Sequence, residues 1–277
     1  MTKLQKELPK VGRWAEEKYK LLKCYIDIFS TGMKNKWPQR VYIDLFAGAG
    51  SAIIRDSNTI VDTSSVIALN VKNPFNKYIF CEKDNKNYTL LKKRVKRDFS
   101  QSNFKIINGD CNEVIDEIIG EIPSDSNVLT FCFVDPFGLH IKFDTIRKLS
   151  QGRRIDFLIL LALSMDAVRN KKLYIREDND TLDNFLGGKS WRAKKAAIKN
   201  MNRNDFRRFL INEYSNNMYQ IGYKKPSFGN TKEIKASDNL PLYHLAFYSK
   251  SDRGYDFWRE AKKYSTNQLS IEFPNGL

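Results

Sequence analysis

The sequence predicts an α/β fold in which one mostly parallel, seven-stranded sheet is covered by helices on both faces. Three observations predict it. Five short runs, at 40–46, 78–81, 104–107, 128–134 and 155–161, are almost unbroken apolar stretches rich in branched and aromatic residues. Strands buried on both faces read this way, whereas half-exposed strands alternate. Helical stripes alternate with these runs, as a parallel sheet requires of its crossover connections. Glycines or acids follow the runs, at the sheet edge where open α/β sheets bind ligands.

The elements follow in order. Residues 1–32 form an N-terminal helical segment, with Trp14, Leu21, Leu22, Tyr25, Ile28 and Phe29 at helical spacing and Ser30-Thr31-Gly32 ending it. Strand one, 40–46, runs into Ala47-Gly48-Ala49-Gly50-Ser51. Residues 55–76 have weak periodicity and hold a short helix inside a longer connection. Strand two, 78–81, ends at Glu82. A helix over 85–99 follows, with Tyr88, Leu91, Val95 and Phe99 on one stripe.

Strand three, 104–107, ends in Asn108-Gly109-Asp110, and Val114, Ile115, Ile118 and Ile119 form the next stripe. Strand four, 128–134, ends in Asp135-Pro136-Phe137-Gly138 and precedes a helix over 143–150. Strand five is 155–161. The alternation then lapses: 164–204 is polar and basic, and reads as an inserted lobe rather than a second domain. A helix over 205–218 and strands at 220–225 and 242–248 complete a single domain, 1–277.

Composition bounds the function. Of the 277 residues, 42% are hydrophobic and 29% charged, which excludes a disordered or fibrous chain. No apolar run approaches the roughly 20 residues that span a bilayer, and residues 1–10 lack a signal-peptide core. A cytoplasmic location with no membrane partner is expected. Four dispersed cysteines and two distant histidines do not form a zinc pattern, so no metal site is expected.

The charge is +15, and it is uneven. Between residues 189 and 208, Lys189, Arg192, Lys194, Lys195, Lys199, Arg203, Arg207 and Arg208 face Asp205 alone. That density suggests a nucleic-acid partner, RNA or DNA, although a solvated helix face would look the same.

Each strand end carries a residue suited to one part of a nucleoside-bearing cofactor. Asp44 and Phe46 lead into Gly48 and Gly50, which permit a tight turn and close backbone approach, aided by the N-terminus of the following helix. Glu82 suits the two hydroxyls of a ribose. Asp110 suits an adenine amino group, with Cys111 apolar beside the ring. A nicotinamide-type fingerprint fits worse, because its third glycine falls on Ile53 and the acid stands 32 residues past Gly50.

These blocks resemble the class I S-adenosylmethionine-dependent methyltransferases, whose Rossmann-like sheet is closed by a final strand pair. More narrowly the chain resembles the three-Cys-motif partner protein family. Trp14, Lys18 and Tyr25, the run Tyr42-Ile43-Asp44-Leu45-Phe46-Ala47-Gly48, Val134-Asp135-Pro136-Phe137-Gly138, Arg169-Asn170, and Phe185-Leu186-Gly187 with Trp191-Arg192 carry it. Ala49 departs from the proline of many members. The resemblance implies S-adenosyl-L-methionine as cofactor and a three-Cys-motif protein as partner.

The Asp-Pro-Phe-Gly strand end is similar to that of tRNA guanine-N2 methyltransferases. It implies that Asp135 and the Pro136 carbonyl accept the N–H bonds of an exocyclic base amine, while Phe137 stacks on the base. The blander reading is a strand-closing turn that caps the next helix.

Other residues keep two readings each. Lys18 either reaches the methionine carboxylate of the cofactor or is solvated. Arg169 either holds a phosphate or pairs with Asp166. His140 is a proton acceptor or structural. Trp191 stacks on a base or belongs to the core; Arg192, Lys194, Lys195 and Lys199 are candidate backbone contacts. The function expected is methyl transfer to a base amine of nucleic acid. The alternative is a methyltransferase-like binding subunit without its own catalysis; a small-molecule enzyme fits the charge poorly.

Overall fold

A computed structural model describes residues 7–124, 127–224, 231–236 and 240–267. Its central sheet has the order β6-β5-β2-β7-β8-β10-β9. The parallel strands are β2 (Gln39–Asp44), β5 (Lys77–Glu82), β6 (Phe104–Asn108), β7 (Val128–Val134) and β8 (Arg154–Leu161). They are the five apolar runs. In β7 all seven residues are buried, which is why that run carries no polar alternation. β10 (Pro241–Tyr248) lies antiparallel to β8, and β9 (Thr231–Lys235) antiparallel to β10.

Two apolar layers sandwich this sheet, because successive residues of each strand point to opposite faces. Ile43, Cys81, Cys132, Phe157 and Ile159 face α4 (Ile115–Gly120), α5 (Phe143–Ser150), α7 (Thr181–Leu186) and α9 (Arg203–Gln220). Tyr42, Phe80, Phe131, Leu158 and Phe247 face α1 (Trp14–Met33), α3 (Asn85–Asp98) and α10 (Asp252–Asn267). Tyr25 of α1 packs on Phe131 and Phe247, and its hydroxyl donates to the buried Asp156.

Three sequence expectations need correction. Within 1–32, the helix begins only at Trp14; Lys10–Val11 (β1) is extended instead, and residues 1–6 lie outside the described residues. The glycine loop is not followed by a helix. β3 (Ser51–Ile54) and β4 (Ile60–Asp62) come first, and α2 (Ser64–Leu69) follows. The branched residues Ile53, Ile54, Ile60 and Val61 flank a polar tip, so this stretch pairs as a hairpin that also takes β1 into a small second sheet.

The third correction concerns 220–225. α9 runs through Gln220, and Gly222 at φ +93° turns the chain. Tyr223 is then buried against Phe157, its hydroxyl donating to the Ile155 carbonyl, and Lys225 lies outside the described residues. The penultimate strand is β9, in what the sequence pattern reads as a polar loop.

The segment 164–204 contains α6 (Lys171–Tyr174), α7 and α8 (Lys195–Asn200). Leu182, Phe185, Leu186, Trp191 and Ile198 join the core layer beneath the sheet, so the segment is continuous with the domain.

Candidate functional site

A cavity of about 890 Å³ opens at the carboxyl ends of the parallel strands. Its lining divides by strand order. Ala47, Gly48, Glu82, Asp110 and Cys111 lie over β2, β5 and β6, whereas Asp135, Pro136, Phe137, Leu160 and Tyr243 lie over β7, β8 and β10. Trp14, Lys18 and Tyr19 of α1, with Pro9 to Gly12 before it, line the cavity as well.

On the first side, Gly48 and Gly50 adopt left-handed backbone at φ +63° and +79°, which a side chain would strain. A Cβ at Gly48 would have no atom within 4 Å, so the loop leaves room for close approach of a ligand. Glu82 holds this loop: Oε2 accepts from the Gly48 N–H at 2.7 Å and Oε1 from the Asp84 N–H at 2.8 Å. Burial pushes the Glu82 carboxyl above its ordinary range.

Asp44 sits at the base of the loop with no exposed surface. Burial raises its carboxyl from 3.8 to about 7; the Ser64 hydroxyl and the Phe46 N–H favour the charged form and offset only part of the cost. Its Oδ1 accepts from the Phe46 N–H, while Oδ2 lacks a partner in hydrogen-bond geometry among the described residues.

Asp110 accepts from Asn112 through Oδ1 and from Lys83 through Oδ2, at 2.9 and 3.0 Å. Partial burial works against its charge, yet these donors hold its carboxyl below the ordinary range. Cys111 is buried beside it, its thiol pushed up by burial.

On the second side, Asp135 does not cap the next helix; residue 142 occupies that position without a side-chain cap. Its partner is Lys18, 2.5 Å from Nζ to Oδ2, with both side chains almost buried. Lys18 is therefore neither solvated nor free of Asp135, and the helix candidate meets the strand-end candidate although 117 residues separate them. Burial opposes the ammonium charge, but Asp135 outweighs it and holds Lys18 protonated well beyond its ordinary range. The ammonium also lies 4.6 Å from the Tyr19 ring centroid.

Phe137 is 84% exposed, an unusual state for a phenylalanine at a cavity rim. The loop that presents it is tied by Asp166, which the sequence patterns assign only as a partner for Arg169. Asp166 Oδ2 instead accepts from the Leu139 N–H, and Oδ1 from Asn170 and Tyr174. A Cβ at Gly138 would stand 2.5 Å from Asp166 Oδ2, so the last residue of Asp-Pro-Phe-Gly makes room for that anchor. Arg169 is exposed. His140 lines the cavity and offers its carbonyl to Asn112.

The basic segment is rearranged most. Trp191 is 1% exposed, and its indole N–H donates to Asp183 at 2.8 Å. It is core, and cannot stack on a base. Arg192 grips the same carboxylate and the Asn179 carbonyl. Lys194 pairs with Glu213 and Lys195 with Glu177; Lys199 is exposed. Arg207 reaches Ser164.

Among the cavity residues that sequence reasoning missed are Asn112 and Tyr243. Asn112 links Asp110 to the Lys142 N–H and the Thr145 hydroxyl, bridging strand ends three and four. Tyr243 is 2% exposed and its hydroxyl has no partner among the described residues. Its only sequence signal is a tyrosine at the start of the final strand, which in an antiparallel pair falls at the same sheet edge.

Six parallel strands with one antiparallel strand inserted next to the edge, and a ligand-sized cavity over their carboxyl ends, decide the architecture. The chain has the Rossmann-like class I methyltransferase fold. No family model and no curated protein matches it. Among solved structures, protein LPL1258 from Legionella pneumophila superposes with TM-score 0.50 at 8% identity, covering 90% of this chain and 91% of that one.

Trm1 from Pyrococcus horikoshii, solved with S-adenosyl-L-methionine, aligns with TM-score 0.46 at 11% identity over 87% of this chain. The chain spans 57% of that Trm1 chain. TYW2 from M. jannaschii, solved with AdoMet, aligns with TM-score 0.41 at 11% identity, covering 86% and 77% of the two chains. At these identities the likeness is one of fold. Among the described residues no helix is long and apolar enough to cross a membrane, and no cluster of three potential metal ligands occurs.

Proposed function

We propose that the chain is an S-adenosyl-L-methionine-dependent methyltransferase acting in the cytoplasm on an exocyclic amine of a nucleic-acid base. The observation that carries the reading is the two-sided cavity. A glycine loop flanked by Glu82 and Asp110, with Asp44 buried beneath it, faces an almost buried Asp135 and an 84% exposed Phe137.

The residues of the first side fit the cofactor. Glu82 would hold the ribose hydroxyls, Asp110 the adenine amine, and Cys111 the ring face. Asp44 has an unpartnered buried oxygen suited to a cationic group, and Gly48 leaves space for backbone approach. The cofactor supplies an electrophilic methyl group on a positively charged sulfur.

The second side supplies what an aromatic amine lacks. Its lone pair delocalises into the ring, so it is a poor nucleophile. Asp135 Oδ1 has no protein partner among the described residues and would accept one N–H, with the Pro136 carbonyl accepting the other. These two acceptors fix the lone pair and stabilise the positive charge that develops on nitrogen. Phe137 offers a face for the extruded base. The exposed part of the basic segment, including Lys199, would meet the phosphate backbone.

The test is methylated-nucleoside mass spectrometry of RNA and DNA from cells with and without the gene, beside calorimetry with S-adenosylmethionine and S-adenosylhomocysteine. A missing methyl mark and uptake of cofactor are expected. Protein that binds neither compound would sink the enzyme reading.

One observation favours a second reading, a binding subunit that works for another enzyme: Asp135 is already engaged by Lys18. Cofactor uptake without any transfer would support it. A three-Cys-motif partner belongs to either reading, and co-purification with the product of a neighbouring gene tests it. Phe185, Leu186, Trp191 and Arg192, which carry that narrower resemblance, build the interior of the lobe.

A further inference from the structure

Lys18 and Asp135 stand side by side at the acceptor end of the cavity, and they differ in what they offer. Asp135 only accepts hydrogen bonds; Lys18 only donates them. One of the three ammonium donors goes to Asp135 Oδ2, and the ring of Tyr19 lies against the same group. Both residues line the cavity and together present a donor next to an acceptor.

We propose that this pair reads the Watson–Crick edge of the acceptor base, so that Lys18 selects bases whose reactive amine is flanked on that edge by a ring nitrogen acceptor. This rests on the base-amine reading above and narrows its substrate. Adenine offers its amine beside N1, and cytosine offers its amine beside N3. In each, the amine donates to Asp135 while the ring nitrogen accepts from Lys18. Guanine places its N1–H donor beside the amine on that edge, and its N3 acceptor lies on the opposite flank, next to the glycosidic nitrogen, where the ribose crowds the approach. A donor facing an ammonium leaves both unpaired in a nearly dry site.

Leaving buried polar groups unpaired discriminates strongly, by far more than a poor apolar fit does. Lys18 and Asp135 therefore favour adenine or cytosine over guanine. The assignment departs from the guanine-N2 expectation that the Asp-Pro-Phe-Gly strand end suggests on its own. It also gives Lys18 a different task from holding the methionine carboxylate.

The experiment uses the full chain with methyl-labelled S-adenosylmethionine and two sets of single strands. One set is oligouridine RNA and the other oligothymidine DNA, each carrying one adenine, cytosine or guanine. Uracil and thymine have no exocyclic amine, so label above that of the uninterrupted strand reports the single inserted base, and the two sets separate RNA from DNA. Wild-type protein should label the adenine or cytosine strand at least about tenfold better than the guanine strand. Lys18→Met should lose about tenfold or more on the favoured strand, with S-adenosylmethionine affinity within about twofold of wild type.

A preference of the wild type for guanine overturns the proposal without any variant. So does a Lys18→Met protein that loses affinity for S-adenosylhomocysteine but not for methylthioadenosine, which lacks the carboxylate; Lys18 would then serve the cofactor. Because Lys18→Met leaves Asp135 without its cation, Lys18→Arg is the companion variant. It keeps charge and donors and should keep the base preference, and loss of that preference counts against the proposal. Cofactor binding with no transfer to any strand removes the amine reading and this assignment together. Failure to bind cofactor removes the proposed function itself.

Discussion

Replacing Asp44 by Asn isolates the cost of a buried charge beneath the glycine loop. Asp44 has no exposed surface, and its carboxyl stands at about 7 in the folded chain against an ordinary value of 3.8. At 1.36 kcal/mol per pH unit, that difference corresponds to about 4 kcal/mol. The folded chain holds this proton more tightly than the unfolded chain does. The stability that Asp44 contributes is therefore full below pH 3.8, and it is lost as pH rises through about 7. Asn keeps the oxygen that accepts from the Phe46 N–H and cannot ionise.

The assay is urea unfolding of wild type and Asp44→Asn between pH 4.5 and 8. The variant should gain on the wild type by about 3 kcal/mol across that range. Asp156, whose carboxyl burial also raises, to about 6, is present in both proteins and cancels in the difference. Affinity for the cofactor should move oppositely. A cationic group beside Asp44 favours its ionised form, so wild-type affinity rises with pH up to about 7, and the variant binds weakly with no such rise. A stability difference that stays flat with pH would refute the titration of Asp44 in the folded chain.

Four further outcomes follow from the same geometry. Glu82→Ala should weaken cofactor binding by about 1.5–3 kcal/mol in calorimetry, since it removes a charged partner and frees the Gly48 and Asp84 N–H groups. Asp135→Ala should retain cofactor affinity while single-turnover transfer falls about a hundredfold or more. Trp191→Ala should cost about 3–5 kcal/mol of stability, measured by denaturation, because the indole is 1% exposed and bonded to Asp183. Replacing Lys199 and Arg203 by Gln should flatten the slope of log affinity against log salt by about 1.4 for a single strand, whereas Lys194→Gln and Lys195→Gln, which face carboxylates, should change it less.

What the sequence made legible and what it hid have separate physical causes. A strand buried on both faces must be apolar throughout, so β7 and its neighbours announce themselves, and the residues just after them fall at one sheet edge by topology. Asp44, Glu82, Asp110 and Asp135 stand at that edge for this reason. Contacts across the fold leave no such periodic trace. Nothing local marks Lys18 and Asp135 as partners, and nothing distinguishes a tryptophan among lysines that stacks on a base from one whose N–H is spent on Asp183.

The basic run misleads for a related reason. Formal charge counts eight cations, but Glu213 of α9 and Glu177 of the lobe approach Lys194 and Lys195, and Asp183 neutralises Arg192. Charge that is internally compensated releases few of the counterions condensed on a phosphate backbone, so it adds little to nucleic-acid affinity. Part of the segment's basicity therefore assembles the lobe against α7 and α9, and only the residues that point away from those carboxylates remain to meet a polyanion. The salt slope weighs these two uses of the same lysines against each other.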